Sequence, residues 1–185
     1  MLSEILAKET RLTVQEAEDG QLISADHIYV IPPNRYLEIA EFRLLLSPIA
    51  DTPGTRCAID LCFRSLARDC GDRCAGLLFS GEGSDGTAGL RAIKSVGGLA
   101  LVQDPALASH PSMPQSAIDA DVVDKAITVP RIPEILYRYA DNAISMAIAK
   151  PLTSDTDSLE TVSAILKAYE GFNLQHYKLG TVQRR

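Results

Sequence analysis

Leu77-Leu78-Phe79-Ser80-Gly81-Glu82-Gly83-Ser84-Asp85-Gly86-Thr87 is an apolar run that enters a glycine turn and leaves it as a helix. Leu77 to Phe79 read as a short buried strand. Ala88, Leu90, Ala92, Ile93 and Val96 then recur at helical spacing until Gly97-Gly98 stops the helix. Leu99-Ala100-Leu101-Val102 supplies the next strand, closed by Asp104-Pro105. A crossover this short predicts parallel, adjacent strands, and hence an α/β fold built on a doubly wound, mostly parallel sheet. Chemistry in such sheets collects at strand carboxyl ends, where Asp85 stands.

Three readings compete for the turn. Gly81, Gly83 and Gly86 fit G-x-G-x-x-G after a strand, with Asp104 placed as a ribose-binding acid, which is the pattern of a dinucleotide-binding module. Against it, the carboxylate of Asp85 would oppose a pyrophosphate at the helix N-terminus. The second reading makes Asp85 a cap for the helix that follows it, accepting amide protons from the first turn. The third makes it the acid that orients an imidazole in a hydrolase triad.

Upstream, Leu2, Ile5 and Leu6 suggest the end of a helix, and Leu12 and Val14 alternate as a strand before Asp19-Gly20. Ile28 to Ile31 read as a strand stopped by Pro32-Pro33. Tyr36–Ile39 and Phe42–Leu46 predict a β-hairpin turning at Ala40-Glu41, without the usual Asn or Gly. Ser47 to Arg56 is a loop ahead of a helix carrying Ile59, Cys62, Phe63, Leu66, Ala67 and Cys70. Cys57, Cys62, Cys70 and Cys74 lack C-x-x-C spacing and have no nearby histidine, so they are not expected to bind a metal, and the two at helix spacing, Cys62 and Cys70, read as small core residues. No cofactor follows from these patterns. Downstream, Pro133 opens a helix with Leu136, Tyr139, Ala143, Ile144, Ala147 and Ile148 on one face.

The 185 residues, 46% of them hydrophobic, suffice to bury a core. A net charge of -6 argues against a nucleic-acid or anionic-membrane surface. No apolar run is long enough to span a bilayer, and Met1-Leu2-Ser3-Glu4 lacks the basic, apolar opening of a signal peptide. The expected setting is cytoplasmic, with no nucleic acid and no membrane insertion.

Several ordered blocks carry a resemblance. They are Glu16-Ala17-Glu18-Asp19-Gly20, His27-Ile28-Tyr29-Val30-Ile31-Pro32-Pro33-Asn34, the stretch from Gly81 to Lys94, Gln103-Asp104-Pro105, Met113-Pro114-Gln115-Ser116-Ala117-Ile118 and Val122-Val123-Asp124. Together they resemble the catalytic domain of chemotaxis-type protein-glutamate methylesterases, the CheB family, over roughly the first 140 residues. The resemblance implies a Rossmann-like sheet with a Ser-His-Asp mechanism that removes methyl groups from glutamates of methyl-accepting chemoreceptors. It places the triad acid at Asp85 and a backbone oxyanion donor at Glu82. The family usually carries Met at the latter position, and a carboxylate side chain there is electrostatically unfavourable beside an oxyanion.

The resemblance also implies that the family's nucleophilic serine and triad histidine lie on strands before the segment matching Leu2-Ser3-Glu4-Ile5-Leu6. No serine here sits in a G-x-S-x-G elbow. A rearranged triad would have to draw on Ser84 and His110; the plainer reading leaves His110 in a loop and His27 structural. The expectation is a truncated methylesterase domain, 1–150, inactive alone, with an alternative as a non-catalytic receptor- or partner-binding remnant. Its incomplete sheet predicts an exposed strand edge open to self-association. A polar linker, 151–158, then leads to Leu159-Glu160-Thr161-Val162-Ser163-Ala164-Ile165-Leu166, Gly171-Phe172-Asn173-Leu174, Tyr177-Lys178 and Thr181-Val182-Gln183-Arg184-Arg185. These resemble the opening helical domain of the CheR receptor methyltransferases, implying a CheB/CheR fusion with residues 159–185 in the second enzyme.

Overall fold

The computed structural model describes residues 2–49 and 57–149. Residues 1–137 form one compact unit, and a second begins at Arg138. The expected linker at 151–158 and helical segment at 159–185 lie outside the described residues.

The βαβ unit follows the order that the apolar pattern predicts, but its first strand starts and ends earlier than expected, leaving Phe79 outside it and 49% exposed. Strand β5 (Ala75–Leu78) runs through the glycine turn into helix α3 (Thr87–Ser95) and back into β6 (Leu99–Gln103). The two strands are parallel, with Ala75 opposite Leu99 and Leu78 opposite Val102, and β7 (Lys125–Ile127) adds a third parallel strand. Leu90, Ile93, Ala100, Leu101 and Val102 are fully buried, so α3 seals one face of this sheet. The other face packs Leu101 and Ile127 against Ile132, Ile135 and Leu136 at the start of helix α5 (Ile132–Ala149). A sheet covered on both faces by helices is the doubly wound arrangement, and its central strand β6 is correspondingly apolar from Leu99 to Val102.

Helix α1 (Leu2–Glu9) precedes a second parallel pair, β1 (Thr13–Glu16) with β2 (His27–Val30). An antiparallel hairpin follows, β3 (Arg35–Ala40) with β4 (Arg43–Pro48). Its turn sits one residue later than the expected Ala40-Glu41. Glu41 and Phe42 occupy it, both left-handed at φ 52 and 55. Two-residue hairpin turns need that conformation, which normally selects Asn or Gly. Here Asp69, on helix α2 (Ala58–Cys70), accepts the amide protons of Glu41 (2.6 Å) and Phe42 (3.0 Å). A tertiary contact replaces the local signal. Ser65 of α2 ties the same hairpin from within, accepting from the Ile39 amide at 2.9 Å while its hydroxyl donates to the Cys62 carbonyl at 2.8 Å.

Helix α2 thus stands between the hairpin and α3. Gly89 permits the second contact: a Cβ there would lie 2.6 Å from the Phe63 side chain and 3.1 Å from the Asp60 backbone. Cys62, Cys70 and Cys74 join the apolar clusters, and burial pushes the Cys62 thiol up to about 11. Burial also raises Cys70 and Cys74. Among the described residues, no helix is long and apolar enough to cross a membrane.

Candidate active site

The turn between β5 and α3 is braced by the segment leading into helix α4 (Ser112–Asp119). Gly81 donates its amide to the His110 carbonyl (2.9 Å), and its carbonyl accepts from the Met113 amide (3.0 Å). The His110 amide donates to Ser80 Oγ (2.9 Å), and the Gly83 amide donates to Ser112 Oγ (3.2 Å). The Ser116 hydroxyl donates to the Gly83 carbonyl at 3.3 Å. A side chain at Gly81 would meet Met113 at 3.0 Å, so the glycine and the methionine are matched. From the neighbouring strand, Gln103 Oε1 accepts from the Ser80 amide at 3.0 Å. The stretch Met113-Pro114-Gln115-Ser116 therefore acts as a clamp on the glycine turn, which explains why the two blocks occur together.

Asp85 does not cap α3. The residue ahead of that helix is Gly86, left-handed at φ 93, with no side-chain cap. Both this conformation and the crowding around it demand glycine, because a Cβ at the position would lie 2.5 Å from the Leu78 side chain. The carboxylate of Asp85 instead reaches another helix, accepting from the amides of Ile59 (Oδ2, 3.0 Å) and Asp60 (Oδ1, 2.9 Å) in the first turn of α2. That helix has no cap from its own preceding residue, Cys57. Four amides at a helix start lack internal acceptors, and an acidic group there is favoured by the macrodipole as well.

The complementary bond runs the other way. Asp60, buried at 8% exposure, accepts from the Gly89 amide in the first turn of α3 at 2.7 Å. Each helix start is thus satisfied by a carboxylate from the other's side. Sequence reasoning missed Asp60, whose only signal was an acid in the first turn of a helix, a common position for its own helix's sake.

The remaining candidates are distributed around the turn. Glu82 projects outward, with Oε1 3.4 Å from His110 Nδ1 and its side chain 82% exposed. Its backbone amide has no acceptor among the described residues, although those of Gly81 and Gly83 on either side do. His110 is therefore set against Glu82. Among the described residues, no side chain donates a hydrogen bond to the Asp85 carboxylate, so Ser84 and His110 are not assembled with it as a triad. Asp104 caps the short helical turn Pro105–Leu107 through the Ala106 amide at 3.0 Å. His27 bonds the Ala25 carbonyl (2.6 Å) and stacks on Tyr29, a structural role. Cys57, Asp60 and Asp85 bring ligand-type atoms within 4.8 Å of one another, but both carboxylates are already engaged by backbone amides.

A family model described as CheB methylesterase matches residues 1–136. The chain belongs to the CheB methylesterase family. A solved relative, the CheB methylesterase catalytic domain of Thermotoga maritima, superimposes with a TM-score of 0.67 at 27% identity, covering 73% of this chain and 74% of that one. A Leptospira interrogans protein, provisionally named a protein-glutamate methylesterase/protein-glutamine glutaminase, is 36% identical over 139 residues, 75% of this chain and 72% of its own length. An uncharacterized 104.1 kDa protein of Rhodobacter capsulatus is 31% identical and aligns with 100% of this chain, which spans 22% of that protein. The CheB likeness thus ends near the start of α5, whereas the Rhodobacter likeness continues through the C-terminal segment.

Proposed function

We propose that this chain carries the acid-bearing part of a protein-glutamate methylesterase site, whose reaction hydrolyses a glutamate methyl ester on the cytoplasmic region of a methyl-accepting chemoreceptor to glutamate and methanol. Asp85 is the triad acid. It fixes the imidazole tautomer and stabilises the imidazolium formed when a serine hydroxyl attacks the ester carbonyl. The Glu82 amide is the oxyanion donor, stabilising the negative charge that develops on that carbonyl oxygen. The observation that carries this reading is the setting of Asp85: an anion at a strand's carboxyl end, held through both oxygens by backbone amides. Each carboxylate oxygen has two lone pairs, so one remains on each for an imidazole N–H. The unengaged Glu82 amide in the same turn supports the second assignment.

No histidine hydrogen-bonds Asp85 among the described residues, and on this reading the chain alone does not turn over ester. Purified chain incubated with a methylated receptor cytoplasmic fragment should release methanol only at background. Release that disappears with Asp85→Asn would show a complete site here and overturn this point. The positive test is a graft of residues 77–105 into the Thermotoga catalytic domain. The chimera should release methanol, and Asp85→Asn within it should lower kcat by roughly 10³–10⁴-fold, the scale seen when a triad acid loses its charge. Retention of full rate by that variant would refute the assignment.

The C-terminal segment, 159–185, we read as the opening of a CheR-type methyltransferase, placing the chain in a CheB/CheR fusion that acts in the cytoplasm. The alignment of the Rhodobacter protein across the whole chain supports a shared continuation beyond the CheB match. Receptor binding without chemistry remains the alternative role; capture of the receptor fragment by the chain, independent of Asp85, is its signature.

A further inference from the structure

We infer that Asp60 is a positioning residue that holds Asp85 in place through a closed ring of two helix starts. The inference rests on the assignment of Asp85 as the acid. The ring has four parts: the Asp85 carboxylate binds the amides of Ile59 and Asp60; Asp60 leads from its own backbone to its side chain; that carboxylate binds the Gly89 amide; and Gly86 to Ala88 lead back to Asp85. The bonds are 2.7 to 3.0 Å, well-formed N–H···O lengths. Neither helix has a local side-chain cap, so each start depends on the other's carboxylate.

The consequence is mechanical. Rotation of Asp85 toward solvent would break two bonds, leaving Ile59 and Asp60 amides unpaired, and any shift of α3 that released the turn would also pull the Gly89 amide from a buried carboxylate. Gly89 makes the ring tight, because a Cβ there would lie 2.6 Å from the Phe63 side chain and would push α3 away from α2. Asp60 touches no reacting atom in this scheme. It acts through the helix starts on the orientation of Asp85.

Amide hydrogen exchange, read residue by residue on the chain as it is, tests the ring. Asp60→Ala should speed exchange at Gly89 and also at Ile59, each by about tenfold or more, while Leu101 and Val102 of β6 stay near their original rates. Asp85→Ala should in turn speed exchange at Gly89, whose bond it does not make directly. Asp60→Asn keeps an acceptor oxygen and should restore most of the protection at both places. An effect of Asp60→Ala confined to Gly89 would overturn the proposal, since Asp60 would then serve α3 alone. Faster exchange spread evenly through β6 would overturn it as well, assigning a general structural role; should Asp60→Ala not fold, Asp85→Ala carries the same comparison, with faster exchange at Ile59 and Gly89 expected against unchanged β6, and an effect confined to Ile59 and Asp60 overturning the proposal. These outcomes need no catalysis, so they separate from the chimera result: loss of the triad assignment there leaves the exchange pattern standing, and the reverse.

Discussion

Asp85 caps the start of α2 and not, as one reading expected, the helix that follows it, and this setting is compatible with the triad role proposed for it. A carboxylate that caps a helix and one that orients an imidazole need the same things: fixed rotamer, retained charge and a partly open site. The bonds to the Ile59 and Asp60 amides supply the first, and the partial exposure of Asp85 supplies the third. Replacing it with Ala removes two bonds to an ionised acceptor and should destabilise the domain by about 2 kcal/mol, read as a lower denaturant midpoint at unchanged m-value. On the assignment proposed for it, Glu82 is the contrasting case, a backbone donor under an unfavourable side chain. In the grafted enzyme Glu82→Met should raise methanol release by roughly two- to tenfold, because removal of a negative charge beside the oxyanion lowers the barrier.

The thiols give a pH dependence of known sign. Burial holds the Cys62 thiol protonated in the folded chain up to about 11, against 9.0 when exposed. The folded state therefore binds the proton more tightly than the unfolded one. Stability from this source is intact below pH 9 and falls as pH rises toward 11, by at most about 3 kcal/mol. Cys62→Ala should flatten that slope relative to the parent, whatever its constant offset. Alkylation at pH 8 should mark exposed Cys57 ahead of Cys62, Cys70 and Cys74, whose thiols burial holds protonated.

At the level of elements, α2 is the organiser. It presents Ser65 and Asp69 to the hairpin and Asp60 to α3, and receives Asp85 at its own start. Asp69→Ala should cost about 1–3 kcal/mol, since two turn amides lose an ionised acceptor. Phe42→Gly in that background should recover part of the loss by suiting the left-handed turn, visible as a rise in the thermal midpoint over Asp69→Ala alone. The hairpin itself was legible from its apolar runs. Its turn was not, because the residues that make Glu41-Phe42 tolerable lie 27 to 28 positions away. The same distance hides Asp60, whose bond to Gly89 spans 29 positions.

Across the chain as a whole, the decisive feature is that β5 pairs on one side only among the described residues. A parallel strand of Ala-Gly-Leu-Leu composition is built for a sheet interior, and its second row of backbone groups can template another strand. The isolated chain should self-associate with rising concentration in sedimentation and melt poorly as a dilute monomer. A reversible, cooperative melt at low concentration with no change in mass would count against this.

Local grammar is legible in the residues alone: apolar strand, glycine turn, amphipathic helix and apolar strand follow in an order that leaves little but a parallel βαβ unit with Asp85 at its mouth. These signals survive because period and turn chemistry act over a few residues. Packing in three dimensions settled the rest: what Asp85 binds, that Asp60 answers it, that His110 faces Glu82, and how a hairpin turn without Asn or Gly is held. Each of those depends on a polar group finding a donor or acceptor from a distant element, and such pairings are chosen by the packing of helices, leaving no periodic trace in the chain.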